Sequence, residues 1–201
     1  PTPLDEHRCS ILQEGNVTGK IIEFGPGPGT NFKCFENSTS AHMIEHYVAV
    51  EPNAHFEGVL KKEKGDRGLE FPLTHVGLKG EQIDISDNGS YDVVIMTHVL
   101  CSVDSPEIVL SNAEKALKQG GRIIFMEHVL AAQGTWVWYF QQSIAPMFTI
   151  IANGCKFVDL RPVMEDYLGD RFDLKMLDFE APMPASFFFA RPHIKGVAVK
   201  K

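Results

Sequence analysis

The sequence predicts a doubly wound α/β fold, in which a mostly parallel sheet carries helices on both faces and ends in an antiparallel hairpin. Short apolar segments closed by turn residues alternate with segments of helical periodicity, which is the pattern of consecutive β–α–β units. The strand-like segments are apolar throughout, as strands buried on both faces are. The chain ends with two further strand-like segments that have no clear helix between them.

Five short apolar runs form the predicted parallel part of the sheet: Lys20–Phe24, Tyr47–Val50, Leu73–Val76, Asp92–Thr97 and Arg122–Glu127. Right-handed crossovers are expected between them. The hairpin is predicted from Phe172–Phe179 and His193–Val199, which are joined by the Pro- and Phe-rich loop Ala181–Pro192.

Helices are expected between the strands, at Thr30–Glu36, Asn53–Lys64, Pro106–Lys118 and Thr135–Ile151. The third has the clearest signals, because Ser105 is suited to the N-cap, Pro106 to the first helical position, and Gly120 to the end. The fourth is expected to be interrupted near Pro146.

The composition favours a soluble protein that binds a small molecule. The 201 residues suit one domain over 1–201, and 19 Lys and Arg against 26 Asp and Glu give a net charge of −7. This acidic balance argues against a nucleic-acid partner. The four cysteines are widely spaced, so free thiols are expected and no metal site is predicted; they are Cys9, Cys34, Cys101 and Cys155.

No apolar run reaches the ~18 residues that a membrane-spanning helix needs. The nearest, Trp136–Ile151, is broken by Gln141, Gln142 and Pro146. Whether a membrane anchor precedes Pro1 is left open.

Three alternate glycines after the first strand, Gly25, Gly27 and Gly29, indicate a turn against which a ligand lies close to the backbone. A dinucleotide motif would place a third glycine where Thr30 stands, so that spacing fails. Glu23 at the base of the turn would repel a pyrophosphate but attract the cationic sulfonium and amino groups of S-adenosylmethionine. S-adenosylmethionine is therefore the predicted cofactor.

Other polar residues end strands at the same edge of the predicted sheet, where ligands of such folds bind. Glu51 follows the loop by about twenty residues, the separation at which an acid meets ribose hydroxyls. Thr97 and His98 end the fourth strand, and His128 follows the fifth. These residues are expected to converge on one crevice.

Several segments resemble the motifs of class I S-adenosylmethionine-dependent methyltransferases, namely Ile21–Gly29, Glu51–Asn53, Ser90–Val94 and Leu117–Arg122. That resemblance implies a Rossmann-like sheet of seven strands. Other segments are similar to the methyltransferase-like protein 7 family of membrane-associated thiol S-methyltransferases; they include His98–Val103, Phe125–Val129, Gln141-Gln142, Asn153–Cys155, Ala181-Pro182 and Arg191–Ile194.

The resemblance implies a set of cofactor contacts: Glu23, Gly25, Gly27, Gly29, Glu51, Pro52, Gly80, Glu81, Thr97 and His98. It also implies the cytoplasmic side of the endoplasmic reticulum membrane or a lipid droplet as the location. Members of the family usually carry helices before the first strand that cover the acceptor. The short segment here suggests that they are absent and that the site is open.

The predicted reaction is methyl transfer to a small, apolar thiol, whose free pKa is near ~8.5. His98 and His128 are the candidate bases, and a purely structural role is an equal alternative for each. Cys101 is interpreted as a buried packing residue. A group of aromatic residues is expected in an acceptor pocket, in the core or on a membrane; it comprises Trp136, Trp138, Tyr139, Phe140, Phe148 and Phe187–Phe189.

Two other functions stay open, a non-catalytic interaction scaffold and a nucleotide-dependent oxidoreductase. The pentapeptide His42–His46 matches an inverted zinc-peptidase motif. It lies between a turn and a strand, where a helix has little room, so the match is interpreted as accidental.

Overall fold

The structure is a computed structural model, and it describes residues 2–36, 38–85, 89–152 and 154–201. Asn153, part of one motif above, lies outside the described residues. The strands are β1 Gly19–Phe24, β2 Ile44–Val50, β3 Leu73–Val76, β4 Tyr91–Thr97, β5 Leu117–His128, β6 Phe172–Glu180 and β7 Pro192–Lys200.

The strands form a seven-stranded sheet in the order β3-β2-β1-β4-β5-β7-β6. The pairs among β1 to β5 are parallel, whereas β7 is antiparallel to both β5 and β6. The doubly wound sheet and its terminal hairpin are confirmed. β1 and β4 lie side by side at the point where strand order reverses, which is where ligands bind in open sheets of this kind.

The α-helices are α1 Pro3–Glu14, α2 His55–Asp66, α3 Pro106–Ala116, α4 Trp136–Ile151 and α5 Leu160–Leu168. Ser105 caps α3 as predicted, since its hydroxyl accepts the Ile108 N–H at 3.4 Å. The interruption expected near Pro146 is wrong: α4 continues through this residue. Proline removes a single amide donor, and the turns on either side keep their own hydrogen bonds.

The helix expected at Thr30–Glu36 is only a 3-10 turn, Phe32–Cys34. Two α-helices that the structure contains, α1 and α5, were not predicted. Most consequential is α1, which begins with a capping box: Thr2 N donates to the Asp5 carboxylate at 2.7 Å, and the Thr2 hydroxyl accepts the Asp5 N–H. Its buried face includes Asp5 and Arg8 beside two apolar residues, so hydrophobic periodicity does not reveal it.

Two pairs of cysteines are brought together by the fold. Cys9 of α1 and Cys34 of the 3-10 turn form a disulfide, so the expectation of four free thiols is wrong. Cys101 and Cys155 are free, and their sulfurs lie 2.8 Å apart. Sequence spacing does not indicate either pair, because both depend on elements that meet only in the folded chain.

The core consists of two layers, one on each face of the sheet. Alternate residues of β1 divide between them: Ile22 and Phe24 pack towards α3 and α5, and Ile21 packs towards α1 and α2. His42–His46 runs from a 3-10 turn directly into β2, which confirms that it forms no zinc-binding helix. Among the described helices, none combines the length and apolar character needed to cross a membrane.

Candidate functional site

A first cavity of about 570 Å³ opens at the carboxyl ends of β1, β2 and β4. Its size lies within the range of about 300–1,000 Å³ that is usual for small-molecule sites. The structure brings eight of the predicted contact residues to its wall: Gly25, Gly27, Glu51, Pro52, Gly80, Glu81, Thr97 and His98.

The three glycines of the loop after β1 all have positive φ angles, of 63°, 53° and 85° in chain order, a conformation that favours glycine. They serve different purposes. A Cβ at Gly25 would lie 2.5 Å from the Val99 side chain, whereas a Cβ at Gly27 would meet no atom within 4 Å. Gly27 therefore leaves open space at the cavity wall. Gly29 packs against Phe32 and is not among the described lining residues.

Glu51 is fixed at the cavity wall by the backbone. One carboxylate oxygen accepts the Gly27 N–H at 3.1 Å, and the other accepts the Asn53 N–H at 2.9 Å. The residue is buried, and each oxygen retains lone pairs beyond these single hydrogen bonds. This geometry suits a carboxylate that accepts hydrogen bonds from a pair of adjacent hydroxyls.

Glu23 lies one layer behind the cavity and is not part of its described wall. The Asn31 amide donates to its carboxylate at 2.5 Å, and the Tyr47 hydroxyl donates to its other oxygen. Burial raises the pKa of Glu23 to about 7. The Glu23 side chain thus holds Asn31, just after the glycine loop, on the side away from the cavity. Its contact with a cofactor stays a prediction.

The turn at residues 79–81 forms the opposite wall. The Glu81 carboxylate accepts the N–H groups of Asp104 and Ser105 at 2.7 and 3.4 Å, so it caps the segment that leads into α3. The Gly80 carbonyl accepts the Asn112 amide at 2.8 Å. A Cβ at Gly80 would crowd Phe24 and Val109, so glycine permits a close approach of the turn to the apolar floor.

Arg8 is the site residue that the sequence analysis missed. It extends from α1, is only 7% exposed, and lines the first cavity. Its guanidinium donates to Asn31 at 3.2 Å, to Thr97 at 3.2 Å and to His98 Nδ1 at 3.1 Å. Burial lowers the pKa of Arg8, and the nearby carboxylate of Glu23 opposes that effect. The only signal for it was the capping box that starts α1.

His98 has a positive φ of 55°, which is uncommon outside glycine. The turn that contains it is held by the buried Glu127, whose carboxylate oxygen accepts the N–H groups of Val99 and Leu100 at 3.0 and 3.1 Å. These hydrogen bonds stabilise the turn that directs the His98 side chain towards Arg8.

A chain of hydrogen bonds defines the proton positions on two histidines. His193 Nδ1 lies 2.9 Å from the Arg191 carbonyl, which can only accept, so this nitrogen is protonated. His193 Nε2 therefore accepts from His98 Nε2 at 3.0 Å, and His98 Nδ1 accepts from Arg8. Burial lowers the pKa of His98 well below its usual range and that of His193 to about 4. Both imidazoles are neutral at pH 7.

A second cavity of about 380 Å³ adjoins the first and shares Arg8, His98 and Ser102 with it. His128 lines it, so the structure brings the two candidate bases to one place. Burial lowers the pKa of His128 to about 4. A contact of the ring with the Phe189 backbone opposes this effect, and its Nε2 atom is buried without a close hydrogen bond among the described residues.

Three placements stayed open for the group of aromatic residues, and few of these residues lie at the second cavity. Of the aromatic residues proposed for an acceptor pocket, Phe148 alone lies in the described wall of the second cavity. Trp136 and Tyr139 are 65% and 60% exposed, since α4 directs them outward. A helix does precede the first strand, since α1 contributes Leu4 and Arg8 to the wall of the second cavity, so the expected absence of such helices is wrong.

Known proteins match this chain over most of its length. A family model described as a methyltransferase domain matches residues 5–161. The thiol S-methyltransferase TMT1A of Homo sapiens is 35% identical over 196 residues, which cover 95% of this chain and 76% of that protein. TMT1B of Homo sapiens is 33% identical over 187 residues, which cover 92% of this chain and 72% of that protein.

Among solved structures, the YcgJ protein of Bacillus subtilis is similar with a TM-score of 0.74, covering 98% of this chain and 99% of that one. At 9% identity this likeness concerns the fold alone. The family model and the human relatives confirm an enzyme dependent on S-adenosylmethionine. The chain therefore belongs to the methyltransferase domain family and, within it, to the family of the thiol S-methyltransferases TMT1A and TMT1B.

Proposed function

We propose that this protein transfers the methyl group of S-adenosylmethionine to a small, apolar thiol, with the cofactor in the first cavity and the acceptor in the second. The observation that carries the proposal is the shared wall. Arg8, His98 and Ser102 line both cavities, so molecules bound in each would meet there. Holding two reactants in contact is the main task of a catalyst for in-line displacement.

The residues of the first cavity fit S-adenosylmethionine. Gly27 leaves space beside the loop, Glu51 offers a carboxylate for two ribose hydroxyls, and Gly80 approaches an apolar floor suited to a flat base. Arg8 and Lys79 are the cationic side chains of the described wall, and Lys79 is paired with Asp104 at 2.9 Å. Arg8 is accordingly assigned to the cofactor carboxylate.

When bound, S-adenosylmethionine supplies a methyl group that its sulfonium makes electrophilic. The protein must accept the thiol proton and exclude water. His128 is the better candidate for the proton, because its neutral ring lines the second cavity and no close hydrogen bonds occupy both of its ring nitrogens: its polar contacts are the Phe189 backbone and the Cys155 sulfur, 3.9 Å from Nδ1. Both ring nitrogens of His98 are engaged, so His98 is assigned to positioning Arg8.

The test is calorimetric titration with S-adenosylhomocysteine, followed by transfer of a labelled methyl group to 2-mercaptoethanol and to a longer alkyl thiol. Glu51→Ala should abolish or greatly weaken cofactor binding, whereas the matched variant Glu45→Ala, on an exposed part of β2, should bind as the wild type does. Unchanged affinity in Glu51→Ala would exclude the ribose role. Binding without transfer to either thiol would favour the scaffold alternative.

We further propose that α4 contacts a membrane surface, and that the endoplasmic reticulum or a lipid droplet supplies that surface. The helix contains no charged residue and exposes a row of large apolar side chains: Trp136, Tyr139, Met147, Ile150 and Ile151. Trp and Tyr favour the membrane–water boundary. The same helix contributes Phe148 to the second cavity, which would give apolar thiols a short path from lipid.

Vesicle sedimentation tests the membrane proposal. Ile150→Lys should release the protein from phosphatidylcholine vesicles, because the charge would enter the proposed contact. Leu177→Lys is the matched control, since Leu177 is 63% exposed but lies on β6. Equal binding of both variants, or no binding by the wild type, would contradict the proposal.

A further inference from the structure

Cys101 and Cys155 form a pair of free thiols that the proposed methyl transfer does not use. Their sulfurs lie 2.8 Å apart, and both residues line the second cavity. The backbone fixes this proximity, because Lys156 N donates to the Cys101 carbonyl at 2.9 Å and thereby joins the segment after α4 to the turn after β4. Bonded sulfurs are about 2.05 Å apart, so only a small approach separates the pair from a disulfide.

The two thiols have unequal surroundings. Cys101 is 1% exposed, and its contact with Cys155 together with burial raises the pKa of the Cys101 thiol. Cys155 is half-buried, and its sulfur lies 3.9 Å from His128 Nδ1. Thiol–disulfide exchange needs a thiolate that attacks and a second thiol that resolves the mixed disulfide. The geometry suits Cys155 to the first role and Cys101 to the second.

We propose that Cys155 and Cys101 are a thiol–disulfide exchange centre, which reduces the disulfide form of the acceptor inside the cavity where its thiol is methylated. This inference rests on the proposed function, since it takes the second cavity as the acceptor site. It adds oxidised, symmetrical dialkyl disulfides to the substrate class. A small thiol and its disulfide share the same apolar substituent, so one cavity can bind both.

The exchange balances in two steps. The Cys155 thiolate attacks one sulfur of the disulfide RSSR, a Cys155–SR bond forms, the S–S bond breaks, and RS⁻ leaves and takes up the proton that Cys155 released. The Cys101 thiol then loses its proton and attacks the Cys155 sulfur, which releases the second RS⁻ to take up that proton. The protein loses two electrons and gains a Cys101–Cys155 disulfide, and RSSR becomes two RSH. Further cycles need an external thiol such as glutathione.

The test uses the full chain, purified without reductant so that the Cys9–Cys34 disulfide is kept and Cys101 and Cys155 are free, with bis(2-hydroxyethyl) disulfide as the probe. Without S-adenosylmethionine, the wild type should release 2-mercaptoethanol and lose the mass of two hydrogens, with a Cys101–Cys155 bond in the peptide map. With labelled S-adenosylmethionine, it should form the methyl thioether from the disulfide alone. Cys155→Ser and Cys101→Ser are each compared by the ratio of product from disulfide to product from preformed thiol. Cys155→Ser should abolish product from the disulfide. Cys101→Ser can release only the first RS⁻, so its ratio should fall to about half, with the mixed disulfide left on Cys155.

A double variant, Cys9→Ser with Cys34→Ser, is the matched control, because it removes the other cysteine pair and should keep the wild-type ratio. No thiol release by the wild type, or an unchanged ratio in Cys155→Ser, would overturn the exchange centre. Methylation of preformed 2-mercaptoethanol by the wild type is measured in parallel. Its failure would count against the proposed function, whereas its success beside an unreacted disulfide would overturn the exchange centre alone.

Discussion

Arg8 stands out among the individual side chains, because it is a buried cation at the wall that the two cavities share. If it holds the cofactor carboxylate, Arg8→Ala should weaken S-adenosylhomocysteine binding by about tenfold or more, the effect of losing a charge-assisted hydrogen bond of roughly 1.5–3 kcal/mol. Binding of 5′-methylthioadenosine, which lacks the carboxylate, should change much less. Calorimetry with both ligands measures the difference, and equal losses would contradict the assignment.

His128 has a predicted signature in the pH dependence of the reaction. Its pKa of about 4 leaves the ring neutral across the working range but makes it a weak base, and the negative charge of the thiolate that forms beside it would raise that pKa during the reaction. His128→Asn should therefore lower kcat below pH ~8.5, where the acceptor is a thiol, and recover towards the wild type above it, where the thiol ionises unaided. A pH–rate profile of both proteins provides the measurement. A loss that is constant with pH would assign His128 to packing.

Sequence reasoning located most of the first cavity because the parallel strands end at one edge, so residues far apart in the chain had to meet there. The position of Glu23 behind the cavity wall was not evident from the sequence. Side chains alternate along a strand, and Glu23 follows Ile21 onto the α1 face of the sheet, where Asn31 and Tyr47 bind it. Nothing in the spacing of the glycines could show this.

Among the elements, α1 contributes most to the site and was the hardest to predict. Its inward face is partly charged, since Asp5 pairs with Lys33 and Arg8 binds polar partners, so the usual apolar stripe is missing. The disulfide Cys9–Cys34 fastens this helix beside the glycine loop. By contrast, the start of α3 was predicted to the residue because Ser105 and Pro106 mark it, although the helix already ends at Ala116 and the expected last residues, Leu117 and Lys118, belong to β5.

The disulfide is expected to stabilise both the fold and the site. For a sequence separation of 25 residues, the loss of chain entropy in the unfolded state corresponds to about 3.5 kcal/mol. Replacing both cysteines with serine should lower the urea midpoint and weaken S-adenosylhomocysteine binding, because α1 carries Arg8. Dithiothreitol should have the same effects on the wild type and little on the variant. Equal midpoints for oxidised wild type and variant would contradict the expectation.

For the whole molecule, the shifted pKa values of buried groups predict that the folded state loses stability at acidic pH. His98, His128 and His193 have lowered pKa values in the folded state, so the unfolded chain binds more protons once the pH falls below ~6.5. Stability should then decrease between pH ~6.5 and about 4, by at most about 1.4 kcal/mol per pH unit for each histidine. Glu23 has the opposite effect on the free energy of unfolding. Its pKa is raised in the folded state, so the folded chain binds this proton more readily than the unfolded chain, and stability rises as the pH falls.

Chemical denaturation across this range measures the effect. The raised pKa of the buried Glu127 acts in the same sense as that of Glu23, and three histidines still outweigh these two carboxyl groups, so the free energy of unfolding should fall as the pH falls. Glu23→Gln removes one of these opposing contributions and should make the decline steeper. A flat profile from pH 6.5 to 4 in the wild type would contradict the buried, neutral state of the histidines.

The direction of the strands, parallel in β1 to β5 and antiparallel in the terminal hairpin, was predictable because alternation of strand and helix admits few topologies. The cysteine pairs and the second cavity were not predictable, because they arise where segments distant in sequence pack together.

The separation of these segments along the chain also matters during synthesis of the protein. Arg8, His98 and His193 are joined by direct hydrogen bonds, and His193 belongs to the last strand of the sheet. During synthesis, β7 must leave the ribosome before Arg8, His98 and His193 can form these hydrogen bonds. A nascent chain without β7 would therefore have its glycine loop, but it would lack the complete shared wall of the two cavities, where methyl transfer is proposed to occur.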